Sequence, residues 1–347
     1  MTEATLLSGT EIRAESAQHS NLRARDLAAK LDVSEAQLVA SQVGFGTTCI
    51  APKPDDIMPL IQGLGEVMAL TRNESCVIEK VGIYDNFHSG QHASMILNGD
   101  IDLRMFPAQW IHAFAVETET DKGAKRSIQV FDSAGDAVHK IHLRASSDLE
   151  QWKHLVESLR LEDQPDTLKV EPRKSVEGPK GDVTKADKLR AEWIKLTDTH
   201  QFLRLMSKMK MNRLGAYRMV GEPLARKLNI SAVDSVLEAV AGSGVEIMFF
   251  VGNYGCIEIH GGPFDTLKPM GPWQNILDPG FNVHLRSDHI AEVWAVTKPT
   301  GRGDTVSVEA FDAQGGLIFQ IFGRKVEGHD SWPAWKEIIA AQPTSEH

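Results

Sequence analysis

Phe131-Asp132-Ser133-Ala134-Gly135 returns 180 positions later as Phe311-Asp312-Ala313-Gln314-Gly315. Ala115-Val116 matches Ala295-Val296 and Ile141 matches Ile321 at the same spacing. Near the front of each half, Leu27-Ala28-Ala29-Lys30-Leu31 is echoed by Leu224-Ala225-Arg226-Lys227-Leu228. Solenoid units run only ~20–50 residues, so a period this long reads as a duplicated domain. Differences between the two copies then mark where a site was built.

Outward from these repeats the pattern is consistent. Residues from about 20 to 42 carry Leu22, Leu27 and Leu31 at near-helical spacing, and Ser34 opens a second short helix. From about 76 to 144, Cys76–Ile78, Ala93–Leu97, Ile101–Phe106, Ile111–Val116 and Ile128–Phe131 are separated by Gly, Asn and Asp. That arrangement predicts antiparallel strands, since parallel crossovers would need intervening helices. Asp148 then starts a helix with Trp152, Leu155, Val156 and Leu159 on one face. Three prolines, two glycines and many charges in 162–186 predict a linker. The second half repeats the plan: helices over 187–240, strands over 245–325, and a closing helix with Trp335, Ile338 and Ile339. The expected organisation is a tail over 1–20, an α+β repeat over 21–161, the linker, and a second α+β repeat over 187–341.

The 347 residues are 42% hydrophobic and 24% charged, enough for two cores. A net charge of −10 argues against broad nucleic-acid binding, which needs Lys and Arg to neutralise phosphates. No segment approaches the ~18 apolar residues of a membrane span, and Met1-Thr2-Glu3-Ala4 lacks a secretory n-region. Cys49, Cys76 and Cys256 are odd in number and scattered, which fits neither a disulfide framework nor a zinc cluster. A reducing cytoplasm is the expected compartment.

Three features distinguish the second copy. In Thr197-Asp198-Thr199-His200-Gln201-Phe202, Asp198 and Gln201 resemble a capping box, placing His200 in a helix's first turn. Partial positive charge there disfavours imidazolium, leaving a neutral ring able to bind a metal. Phe202, Leu205, Met206 and Met209 below it suit a flat apolar ligand, or equally a Met-rich core. Second, the Gly- and Pro-punctuated run from Gly252 to Pro279 specifies a fixed backbone path. Third, Lys298 and Arg324 close two strands and could clamp carboxylates, or form a solvated rim.

Six strings carry a resemblance along nearly the whole chain: Ile101-Asp102-Leu103-Arg104-Met105-Phe106-Pro107, Leu196 to Phe202, Gly271-Pro272-Trp273, Leu277-Asp278-Pro279, Phe281 to Arg286, and Trp294 to Thr300. With the duplication, they resemble the bacterial haemin-degrading and haem-trafficking family of the HemS/ChuS/PhuS type. The resemblance implies two α+β halves, each a large curved antiparallel sheet with flanking helices, and haem held beside the C-terminal sheet. It implies His200 as the iron ligand, Arg104 as an arginine acting on the distal side, and Phe106 as its aromatic neighbour. Lys298, Arg324 and Arg213 would meet the propionates. The haem would be haem b, non-covalent, since no Cys-x-x-Cys-His is present. Expected partners are haem, an inner-membrane haem importer, a haem oxygenase and a second copy of the chain.

That resemblance implies a cytoplasmic haem-binding protein that cleaves the ring with an external reductant and oxygen or peroxide. The alternative is a carrier of intact haem. His88, His92 and His112 are candidates for a second haem contact in the first half. Leu27 to Leu38 also resembles a helix-turn-helix, but its second segment offers Glu35 and Gln37 without Arg or Lys. Gly44-Phe45-Gly46 and Gly301-Arg302-Gly303 fall short of a phosphate loop.

Overall fold

The repeated pentapeptide is one hairpin turn used twice. Asp132 Oδ1 accepts from the backbone N–H groups of Ala134 and Asp136, both at 2.9 Å. Asp312 Oδ1 likewise accepts from Gln314 at 2.9 Å and Gly316 at 2.8 Å. Gly135 and Gly315 take φ +78° and +94°, the left-handed region in which a Cβ is disfavoured. Phe131 and Phe311, each ending a strand at a bulge, are buried. Asp, Gly and Phe thus supply the acceptor, the backbone freedom and the anchor that one turn requires.

The computed structural model describes residues 7–19, 21–121 and 123–345. They fall into two units, one drawn from Met1–Arg72, Glu79–Lys174 and Gly252–Glu258, the other from Asn73–Ile78, Ser175–Val251 and Ile259–His347. The first half of the chain runs α1 (Gly9–Gln18), α2 (Ala24–Leu31), α3 (Glu35–Ala40), β1 (Thr47–Ile50), α4 (Pro54–Ile61), β2 (Val67–Arg72), β3 (Cys76–Gly82), β4 (Phe87–His88), β5 (Ser94–Leu97), β6 (Asp102–Met105), β7 (His112–Thr118), β8 (Lys125–Phe131), β9 (Ala137–Leu143) and α5 (Leu149–Leu159). Its strands are ordered β1-β7-β8-β9-β2-β3 and β6-β5-β4. The second half runs α6 (Ala186–Trp193), α7 (Gln201–Met209), α8 (Arg213–Val220), β10 (Ala225–Leu228), α9 (Ala232–Val240), β11 (Ile247–Gly252), β12 (Cys256–Gly262), β13 (Leu267–Met270), β14 (Trp273–Asp278), β15 (Phe281–Arg286), β16 (Glu292–Lys298), β17 (Thr305–Phe311), β18 (Leu317–Gly323) and α10 (Trp332–Ala340). Its orders repeat the first: β10-β16-β17-β18-β11-β12 and β15-β14-β13. The antiparallel α+β class expected from the sequence is what the fold adopts.

Alternation along the strands assigns each face. In the second unit Val293, Ala295, Val308, Ala310 and Ile321 pack with α9 and α10 through Val236, Trp335 and Ile339. Trp294, Val296 and Phe311 pack on the other face with α6, α7 and α8. The first unit packs α4 and α5 against Ile50, Val67, Ile128, Val130 and Ile141. Its opposite face is met by α3, through Ala36 and Ala40 against Phe114 and Phe131. No helix among the described residues is long and apolar enough to cross a membrane.

Three sequence expectations are corrected. Residues 9–18 of the expected tail form α1, opened by a Ser8–Glu11 capping box, with Ile12 buried. The Leu27–Leu31 echo is not structural, because one copy is α2 and the other is β10. Five residues with apolar ends satisfy either a helix face or a strand, so the match carried no period. The true counterpart of β10 is β1: Thr47 pairs with Val116 and Ala225 with Val296. The would-be recognition helix α3 is turned inward, with Ala36, Gln37 and Leu38 buried. Glu35 there is held by Arg72, and by Lys140 at 2.9 Å.

A buried pair inside the first unit sets a pH response. His139 Nδ1 and Glu258 Oε2 are 4.0 Å apart. Thr71 Oγ1 lies 2.8 Å from His139 Nδ1 and Tyr84 Oη 2.6 Å from Nε2, while neither Glu258 oxygen has a hydrogen-bond partner among the described residues. Burial pushes the Glu258 carboxyl up from 4.5 to about 8 and the His139 ring down from 6.5 to about 3. The carboxyl's contribution is therefore complete below pH 4.5 and lost as pH rises through 8. The imidazole's is complete above 6.5 and lost as pH falls toward 3. Between 4.5 and 6.5 the two cancel, and above 6.5 the pair's joint contribution falls by up to about 1.4 kcal/mol per pH unit. In denaturation curves taken from pH 6.5 to 8, Glu258→Gln should flatten that decline. An unaltered slope would mean the carboxyl is not protonated in the folded state.

Candidate functional site

α7 starts two residues later than the capping pattern predicts, and His200 itself is its N-cap. Gln201 does reach back, but its Oε1 accepts from the N–H of Thr197 at 3.0 Å. Asp198 instead serves the histidine: its Oδ1 lies 2.7 Å from both the backbone N and ring Nδ1 of His200. These bonds hold the Asp198 carboxyl below its usual value, the backbone N–H first and the ring second. A carboxylate acceptor at Nδ1 places the ring proton there and leaves the Nε2 lone pair available, the arrangement typical of a metal-binding histidine. The His200 side chain is 94% exposed. Leu203, one turn on, is also exposed. Gly301 N–H donates to Thr197 O at 2.8 Å, tying the β16–β17 hairpin to this segment.

Phe202, Leu205, Met206 and Met209 are buried against Trp193, Tyr217, Trp294 and Phe311. The stripe below His200 is therefore core, the second of the two readings its spacing allowed. Lys298 is also interior, so the expectation of a free cation at that strand end is corrected. Its Nζ donates to Glu309 Oε1 at 2.7 Å and lies 3.3 Å from Tyr217 Oη. Arg213 Nη1 donates to Glu309 Oε2 at 2.9 Å. Tyr217 and Ser307 hydroxyls donate to the same carboxylate at 2.7 and 2.8 Å. Four donors outweigh the cost of burial and hold Glu309 well below the usual carboxylate range. Two cations against one carboxylate leave one net positive charge beneath Phe202, whose ring centre is 4.9 Å from Lys298 Nζ.

Lys298 Nζ also lies 5.8 Å from the Phe322 ring, which meets Phe250 edge-on at 5.4 Å. Both rings are only half-buried on the sheet face that carries Lys298 and Glu309. Sequence reading missed this pair. Met248-Phe249-Phe250-Val251 is apolar at every position, so alternation cannot say which rings face outward. Asp198 as the ring's partner was legible only as a cap. Arg324 stands two residues beyond Phe322 and is ion-paired with Glu246. His200, Lys298 and Arg213 are thus brought around one element, α7, while Arg324 occupies the neighbouring strand end.

Arg104 and Phe106 belong to the first unit. Arg104 on β6 is part-exposed and donates to Asp102 Oδ1 and, at 3.0 Å, to Leu103 O. Phe106 is half-buried just after that strand. His88 and His92 are exposed, with His88 Nε2 bonded to Asn86 at 2.9 Å, and burial lowers His112. No cluster of three or more His, Cys, Asp or Glu among the described residues is arranged to hold a metal.

A family profile described as "Haemin-degrading HemS.ChuX domain" matches residues 32–159 and 210–341. Hemin transport protein HmuS of Yersinia pestis is 36% identical over 327 residues, covering 93% of this chain and 94% of that protein. The crystal structure of holo-PhuS, described as a heme-binding protein from Pseudomonas aeruginosa, superposes with a TM-score of 0.93 at 41% identity, covering 98% and 100% of the two chains. ChuS, described as an E. coli heme oxygenase, superposes with a TM-score of 0.84 at 33% identity, covering 94% and 98%. Two matched repeats, relatives along nearly its full length and a shared fold place this chain in the haemin-degrading HemS/ChuX family.

Proposed function

We propose that this protein binds haem b non-covalently through His200 Nε2 and cleaves the macrocycle with release of iron. The observation that carries the binding reading is the exposed imidazole clamped by Asp198, in a chain of a haemin-degrading family. Bound iron would supply the redox chemistry, with an external reductant and oxygen or peroxide. Asp198 fixes the ring tautomer and orientation. Phe250 and Phe322 offer apolar contact to a flat ligand. The net positive charge of Lys298 and Arg213 over Glu309 attracts propionates, and Arg324 can exchange Glu246 for one. Arg104, with Phe106 beside it, is assigned to the oxidative step on the family resemblance alone. The expected compartment is the cytoplasm. An inner-membrane haem importer, a haem oxygenase and a second copy of the chain are proposed partners.

Carriage of intact haem is the second reading, favoured by the transport names of relatives such as HmuS. Haemin titration followed by reductant in air tests both. Under the first reading the Soret band rises on binding, then decays to open-chain tetrapyrrole identified by mass spectrometry. A Soret band that persists, with haem passing to added haem oxygenase faster than to apomyoglobin, would replace cleavage by carriage. Failure to take up haemin would remove both.

A further inference from the structure

We propose that the cavity walled by β1, β7 and α5 in the first unit binds a small organic carboxylate with an apolar body. The cavity measures about 410 Å³, within the range of small-ligand sites. Its lining includes Thr48, Ala115, Trp152, Val156 and Arg160. Gly44 and Gly46 turn the chain past its wall with φ +82° and +90°, and a Cβ on Gly46 would stand 2.3 Å from Glu117 O. This is the structural use of the Gly-Phe-Gly string.

The second copy shows what closes the same place. Thr48 pairs with Ala115 as Arg226 pairs with Ala295, so Thr48 and Arg226 are equivalent. The Arg226 guanidinium crosses to α10 and donates to Ile339 O and Gln342 O, each at 2.7 Å. Thr48 cannot reach that far, and the space stays open. The fourth residue of each closing helix is tryptophan. Trp335 Nε1 donates to Val306 O at 2.8 Å. Trp152 lines the cavity and is 5% exposed, and its indole N–H makes no hydrogen bond among the described residues.

The charges at the wall set the ligand's sign. Glu117 is neutralised by Arg126 at 2.7 and 3.0 Å. Arg160 is exposed and makes no side-chain ion pair or hydrogen bond among the described residues, and the Thr48 hydroxyl, on the Ala115 face of β1, has no partner among them either. A guanidinium, an indole N–H and a hydroxyl ask for an acceptor of negative charge. Val156, Ala115 and the Trp152 ring ask for an apolar body.

The test is calorimetric titration of the full-length, haem-free protein with benzoate, hexanoate, benzamide and inorganic phosphate. Saturable binding of benzoate or hexanoate at about 1 mM or tighter is expected, with benzamide and phosphate at least about tenfold weaker. Arg160→Gln should weaken the carboxylate about tenfold and leave haemin titration unchanged. Thr48→Arg, which restores the second copy's filler, should abolish carboxylate binding. If T48R does not fold by circular dichroism, R160Q decides alone. No saturable carboxylate binding, phosphate binding as tightly as benzoate, or unchanged affinity in R160Q would each overturn the assignment.

Discussion

Replacing His200 with alanine weakens haemin binding by about 100-fold or more, equivalent to about 2.7 kcal/mol, and abolishes the histidine-ligated iron spectrum. Loss of an outer-shell partner alone typically costs metal affinity roughly 10–100-fold, so loss of the donor belongs at or above that range. The side chain is almost wholly exposed and makes no packing contact that its removal would forfeit. Unfolding stability should therefore stay within about 0.5 kcal/mol of wild type. Asp198→Ala separates orientation from donation: haemin should still ligate, about tenfold more weakly, because the ring is then free to rotate and change tautomer. An unchanged absorption spectrum in H200A would mean that iron is ligated elsewhere.

Glu309→Ala should cost about 3–5 kcal/mol of stability, because it strands Lys298 and Arg213 as buried, unpaired cations. For a unit of this size that is a fall of roughly 6–20 °C in Tm, measurable by calorimetry. The pH sign follows from the depressed carboxyl. Its contribution is present above the ordinary carboxylate value of 4.5 and is lost as pH falls below it. Wild type should therefore lose stability on acidification below that point, and E309A should show a shallower acid limb. Lys298→Met with Arg213→Met and Glu309→Leu should recover much of the loss, since apolar packing often replaces a buried ion cluster without penalty. A Tm drop under about 2 °C in E309A would mean that the cations reach water when the carboxylate is gone.

The two results divide along what was readable in advance. His200 was readable from Asp198 and Gln201 as a helix-start residue, and as a candidate ligand through the family resemblance. Trp152, Leu155 and Leu159 on α5 were readable because a short local motif fixes its own geometry, as were the two Asp-Gly turns. Lys298 read as a strand-end cation, whereas the structure buries it. Its direction depends on Glu309, eleven residues on, and on Tyr217 from another helix. Phe250 and Phe322 were invisible inside wholly apolar strands, and α1 was hidden in a polar stretch with one buried isoleucine.

By itself, the sequence determined the duplication, the antiparallel α+β class, the turns and the apolar faces of the closing helices. Each of these rests on contacts among neighbours or on a repeat that can be counted. Only the tertiary structure decided which cations are neutralised, which carboxyl keeps its proton and which copy retains an open cavity. Those outcomes depend on groups far apart in the chain sharing one low-dielectric space, where burial and a single missing partner outweigh any local preference.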